Sequence, residues 1–178
     1  MTGLKLWLNF KIGGIMSYDC GFTKENNWFR YRTGGFVICD GKMLFVKSEF
    51  MGGYYYMVGG GVTLGETSVQ CIEREIFEET GMRLKADHLA VVCENFFKGV
   101  GGIMDAKDCH VLEFYYVMKV TPEDVKNCKK ITDQGEELVW VPVEDIKNVV
   151  IKPDFVRERI DEILNTKEVI HVLEERDR

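Results

Sequence analysis

What the chain lacks narrows its function before any motif is sought. Nowhere in its 178 residues does an apolar run approach the roughly 18 to 20 residues of a membrane span. The first residues hold no hydrophobic stretch ending in a small-residue cleavage site either, so a cytoplasmic protein with no membrane partner is expected. Positive charge is short: 23 Lys and Arg face 29 Asp and Glu, a formal net charge of −6. A broad electrostatic grip on nucleic acid is therefore not expected, and an anionic ligand would need local help. Histidine is scarce, and His88, His110 and His171 stand far apart in sequence, which leaves no zinc-site spacing. Cys20, Cys39, Cys71, Cys93, Cys109 and Cys128 include no Cys-x-x-Cys pair, and a chain of this size needs no staples, so reduced thiols are expected. Low-complexity tracts and internal repeats are missing too.

What remains is an ordinary globular composition, 46% hydrophobic, 29% charged and 12% aromatic, enough for one core. Residues 16–178 read as a single domain. Residues 1–15 contain Leu4, Leu6, Leu8, Phe10 and Ile12 in strict alternation with polar or bulky partners, and they read as an added edge strand or a dispensable extension. An exposed edge of that kind would let two copies pair as a homodimer, and a purely structural role through it is one reading of the chain. From Trp28 the pattern is strand again, with Asp40-Gly41 between two apolar runs as a type I′ hairpin turn. Further strands are expected at 54–58, 89–97, 111–120 and 137–143, and helices at 144–150 and 154–164. Strands and helices mix without regular alternation, so the fold class is α+β, with helices layered on a mixed sheet.

The segment 59–82, GGGVTLGETSVQCIEREIFEETGM, carries the chemistry. Thr67-Ser68-Val69-Gln70 matches a capping box, and Gly81 a C-terminal cap. At about 100° per residue, Val69, Ile72, Ile76 and Thr80 form one stripe with Phe77 at its edge, and that stripe is expected to face the core. Glu75, Glu78 and Glu79 share another face, with Arg74 beside them. Like charges at this spacing cost only about 0.2 to 0.5 kcal/mol per pair when solvated, so the trio fits a solvated helix face as well as a site for Mg²⁺ or Mn²⁺. The Gly59-Gly60-Gly61 cluster before the helix tips the balance, since glycines let backbone approach a ligand. A phosphate-binding P-loop is excluded, because Glu66 stands where that motif requires lysine.

Gly60, five residues, Glu66, seven residues and then Arg74-Glu75-Ile76-Phe77-Glu78-Glu79-Thr80-Gly81-Met82 resembles the complete Nudix box. The box marks hydrolases that cleave a nucleoside diphosphate linked to another moiety. Looser similarity runs from about Trp28 to Leu164. The resemblance implies an α/β/α sandwich around a central mixed sheet. It also implies hydrolysis by water at phosphorus with Mg²⁺ or Mn²⁺, and a small nucleotide-type substrate. Glu75, Glu78, Glu79 and the Gly60 carbonyl become the metal-ligand candidates. Arg74 would orient a glutamate and Glu66 would brace the junction of loop and helix. Glu75 is the first candidate for the general base, with Glu136 and Glu137 next and Glu94 and Glu113 also open.

Two positions depart from the family pattern, Val58 where proline is common and Thr63 where an acidic residue is common. They bear on substrate fit more than on the reaction. For the substrate's ring and phosphates, Arg32, Tyr55 and Phe97 are the candidates, with Arg30, Tyr54, Tyr56 and Phe96 nearby in sequence. Core packing explains the aromatic residues equally well. A non-catalytic module sensing a nucleotide or nucleotide sugar with the same fold is the alternative function.

Overall fold

A computed structural model describes residues 18–176. The alternating segment at 4–12 lies outside them. Asp40 and Gly41 both take positive φ, 48° and 71°, as a type I′ turn requires. They join β3 (Ile38–Cys39) to β4 (Lys42–Ser48). Met43, Leu44, Phe45 and Val46 on β4 are all fully buried, the pattern of a strand covered on both faces. β4 is flanked by β5 (Tyr54–Tyr56) and by β8 (Glu137–Pro142), both antiparallel to it.

The second sheet runs in the order β1 (Gly21–Lys24), β2 (Asn27–Phe36), β7 (Asp108–Lys119), β6 (Lys85–Lys98) and β9 (Ile170–Arg176). β2 with β7 and β6 with β9 are parallel, while β1 with β2 and β6 with β7 are antiparallel, so the sheet is mixed as expected. Among the described residues, three α-helices accompany the strands: α1 (Ser68–Thr80), α2 (Pro122–Val125) and α3 (Phe155–Asn165).

Two hydrophobic cores lie on opposite sides of this framework. Ile72 and Ile76 of α1 pack with Leu44, Val46, Tyr116 and Met118. Phe155, Ile160 and Ile163 of α3 pack with Met43, Phe45 and Tyr115. Consecutive residues of β4 and of β7 therefore feed opposite cores, as period-two alternation demands. The result is the expected helix–sheet–helix layering.

Several details differ from the sequence reading. Val69 is 40% exposed and Phe77 37% exposed: the helical angle of Val69 is right, but its first turn lies outside the sheet contact that covers Ile72 and Ile76. Phe77 instead lies 3.9 Å beneath the Arg83 guanidinium. Cys71 replaces Val69 on the buried stripe, because the glycine loop folds over it and its thiol donates to the Gly61 carbonyl at 3.3 Å. The segment 143–148 is a 3₁₀ helix, and β1, α2 and β9 are elements that the sequence pattern did not mark. No helix among the described residues is long and apolar enough to cross a membrane.

Candidate active site

α1 starts where the sequence asks it to. The Thr67 hydroxyl accepts from the Gln70 amide and the Gln70 side chain accepts from the Thr67 amide, closing the capping box. Gly81 ends the helix in the left-handed conformation, with φ 79°. One guanidinium organises the acidic face between these caps. Arg74 Nε and Nη2 each donate to an oxygen of Glu66 at 2.8 Å, the fork geometry that makes Arg–carboxylate pairs strong. Its Nη1 donates to Glu78 at 3.0 Å and also to Glu75, and Nη2 reaches the Gly61 carbonyl at 3.3 Å.

Glu66 also accepts from the Thr63 amide at 3.2 Å and hydroxyl at 3.0 Å. Burial alone would raise its carboxyl, but the Arg74 fork and the Thr63 donors outweigh it and hold the group at about 2. Glu66 thus ties loop to helix.

Glu79 is governed differently. Burial first, and then the neighbouring Glu75, push its carboxyl up to about 7, with Glu136 adding to the rise. The Gly59 amide, which donates to Glu79 at 3.3 Å, and Arg32 act against that.

Glu75 and Glu78 meet at the same Arg74 Nη1, but among the described residues no group of three or more His, Cys, Asp or Glu is arranged to hold a metal. The reason is local charge. Arg74 is the cation at hand, so Glu75 and Glu78 turn to it while Glu79 turns to the Gly59 amide. The donor set still suits a hard divalent cation, because it offers several carboxylate oxygens on adjacent turns of one helix. Gly60 adds to the fit: a Cβ there would lie 2.4 Å from Cδ of Glu75, so that carboxylate rests on bare backbone. The Gly60 carbonyl accepts from the Thr33 amide at 2.9 Å and, more weakly, from the Cys71 thiol at 3.9 Å.

A cavity of about 670 Å³ opens on Thr33 and Gly34, the strand residues next to the glycine loop, and Glu66, Glu75, Glu78 and Glu79 do not line it. Of the substrate and base candidates, Arg32, Phe97 and Glu136 line it, and Tyr54 and Tyr56 line it while Tyr55 does not. Alternation along β5 is the cause: Tyr55 points the other way, into the α3 core, with its ring 6.1 Å from that of Phe45. The Tyr56 hydroxyl donates to Glu136 at 2.6 Å, and burial followed by this bond raises its own ionisation well above the ordinary tyrosine value.

Glu137 is not part of the site, since it is paired with Lys47 at 3.5 Å on the far side of β8. Glu94 pairs with His171 at 2.9 Å, Phe96 stacks on His110, and Arg30 pairs with Asp19 at 2.9 Å. Glu113 does line the cavity. Trp28, Asn95 and Arg176 line it as well and were missed; the signal for Arg176 was the even-numbered face Ile170, Val172, Glu174, Arg176.

The NUDIX domain model matches residues 28–164. The chain belongs to the Nudix family. With the family comes the coarse activity, hydrolysis of a pyrophosphate linkage, so this Nudix protein is a pyrophosphohydrolase. Nucleoside triphosphatase NudI of Klebsiella pneumoniae is 28% identical over 121 residues, which span 65% of this chain and 78% of that protein. Among solved structures, a MutT protein from Bacillus halodurans is 15% identical with a TM-score of 0.58, covering 80% of this chain and 86% of its own. A MutT protein from Methanosarcina mazei is 20% identical with a TM-score of 0.54, covering 78% of this chain and 96% of its own. These two likenesses concern the Nudix fold.

Gly60→Ala tests the packing of Glu75. The new Cβ meets only the end of a flexible side chain, so stability should change by less than about 1 kcal/mol. Turnover should fall by about 100-fold as the carboxylate is displaced. Thermal melts and steady-state rates on the same preparation check the two halves.

Proposed function

We propose that this Nudix protein hydrolyses a nucleoside di- or triphosphate derivative in a reaction that depends on Mg²⁺ or Mn²⁺. Glu75, Glu78, Glu79 and the Gly60 carbonyl are assigned to hold the cation. When bound, it lowers the pKa of a coordinated water and neutralises phosphate charge. Arg74 orients Glu75 and Glu78, and Glu66 fixes Arg74 in turn. Glu75 is assigned to accept the proton of the attacking water, and Glu136, held by Tyr56, is the second candidate, a carboxylate that lines the cavity. Arg32 and Phe97 serve the substrate in the cavity, with Tyr54 and Tyr56 in place of Tyr55.

The single observation that carries this reading is the surplus of acid around α1. Three carboxylates, Glu66, Glu75 and Glu78, share the Arg74 guanidinium, and Glu79 stands beside Glu75, held by the Gly59 amide and opposed by Arg32. That surplus explains how a protein of net charge −6 would hold an anionic substrate, with a cation between them. The likeness to a nucleoside triphosphatase makes nucleoside triphosphates the first substrates to try.

The test is a panel of nucleoside triphosphates, ADP-ribose, NADH, dinucleoside polyphosphates and nucleotide sugars, incubated with Mg²⁺, with Mn²⁺ or with EDTA. Release of mononucleotide or pyrophosphate is expected only with a cation. Turnover of equal speed in EDTA, or none of any substrate with either cation, defeats the proposal.

A further inference from the structure

Four neighbouring strands place a polar row along the cavity floor: Arg32 on β2, Glu113 on β7, Asn95 on β6 and Arg176 on β9. Arg32 and Glu113 are register partners. Asn95 donates to Glu113 at 3.3 Å, and Arg176 donates to the Asn95 carbonyl at 3.4 Å. Asn95 and Glu113 are only 5% and 8% exposed. At one end of the row Arg32 is unsatisfied. Its buried Nε has no hydrogen-bond partner, and among the described residues its guanidinium takes part in no hydrogen bond; its main electrostatic partner is Glu113. A guanidinium is donor only, and leaving a buried donor unpaired is costly. Arg176 Nε, at the other end of the row, is also without a hydrogen-bond partner, but Arg176 has carboxylate and amide partners through its other nitrogens, whereas a ligand's acceptor would be the first for Arg32.

We propose that Arg32 and Glu113 together read the edge of the substrate's heterocycle and select a lactam edge, a ring carbonyl beside a ring N–H, over an amino-substituted edge. Arg32 presents donors and the Glu113 carboxylate presents acceptors, side by side. With the ribose held in one orientation, guanine and uracil offer the matching carbonyl and N–H, while adenine and cytosine in that same orientation turn an amino donor toward a guanidinium that has no acceptor. Arg176 is a positioning residue in this arrangement: by holding the Asn95 carbonyl it turns the Asn95 amide toward Glu113. Its strand lies beyond residues 28–164, the span matched by the family model, so this chain adds to its own pocket from outside that span. Trp28 and Phe97 supply flat apolar surface beside the row.

The proposal rests on the cavity being the site of the nucleoside moiety, but its test needs no hydrolysis. Metal-free protein in EDTA is titrated calorimetrically with GMP, UMP, AMP and CMP. GMP and UMP should bind at least about tenfold more tightly than AMP and CMP, a modest ratio for a site that must leave polar groups unpaired with the wrong ring. Arg32→Gln, whose amide also accepts, should erase or reverse the preference. Arg176→Gln, on an edge strand, should shrink the ratio toward one while circular dichroism and melting stay near those of the parent.

Equal affinities, an amino-ring preference, no saturable binding of any of the four, or an unchanged ratio in both variants overturns the proposal. A lactam preference without turnover in the cation panel would leave it standing and sink the hydrolysis reading; turnover without ring preference would do the reverse.

Discussion

Glu79→Gln should make the metal-free protein more stable and nearly inactive. The Glu79 carboxyl is raised from 4.5 to about 7 by burial and by Glu75, against the pull of the Gly59 amide and Arg32. A carboxyl raised on folding binds an extra proton in the folded state, so stability falls as pH climbs from about 4.5 to about 7 and stays low above that. At one pKa unit per ~1.4 kcal/mol, discounted for the coupling to Glu75, the cost is about 1 to 3 kcal/mol. Glutamine keeps the acceptor for the Gly59 amide and removes the charge. The variant should therefore melt higher than the parent at pH 8 in EDTA, and the gap should close near pH 4.

Turnover with Mg²⁺ should drop by about 100-fold or more, the upper end of what losing a metal site's supporting groups costs. An unchanged melting profile would show that Glu79 is not strained by its neighbours. Unchanged turnover would remove it from the ligand set.

Arg74→Met works in the opposite direction. Glu66 and Glu75 are only 13% and 15% exposed at their side chains, and the substitution strips both of their cation. Removing one partner of a largely buried ion pair leaves an uncompensated charge, so a loss of about 3 kcal/mol at pH 7 is expected from urea titration. The pH dependence follows from Glu66. Held at about 2 in the folded protein, it stabilises above its ordinary value of 4.5, and that contribution disappears as pH falls toward 2. Parent and variant should therefore draw together in acid. A gap that holds constant down to pH 3 would mean that the Glu66–Arg74 fork contributes little.

Much of this site was legible in the sequence because local rules decide it. The capping box at Thr67, the cap at Gly81 and the buried Ile72 and Ile76 all follow from spacing within one helix. The hairpin at Asp40-Gly41 needs only two residues able to take positive φ. What failed needed long-range information. Alternation says that Tyr54 and Tyr56 share a face opposite Tyr55, but not which face meets the cavity. Glu136 and Glu137 are adjacent, and only the pairing of β8 with β4 sends one to Tyr56 and the other to Lys47.

β9 was hidden because apolar residues in and next to it are split between faces: Ile170 and Val172 are buried, while Val169, just before the strand, and Leu173 are 52% and 61% exposed. That blurs the period-two signal. The pull of Arg74 on Glu75 and Glu78 was out of reach for another reason: spacing puts three carboxylates on one face, and competition among nearby charges decides where each one points.

β4 sends Leu44 and Val46 to the helix that bears the acidic residues and Met43 and Phe45 to the opposite layer. Neither side of the molecule can loosen without uncovering the other, so the two halves should melt as one cooperative unit. α1 then opens only at a free energy close to that of global unfolding. Its carboxylates ride on that shared core, and under the proposed function adaptation to different substrates is left to the strands and loops around the cavity.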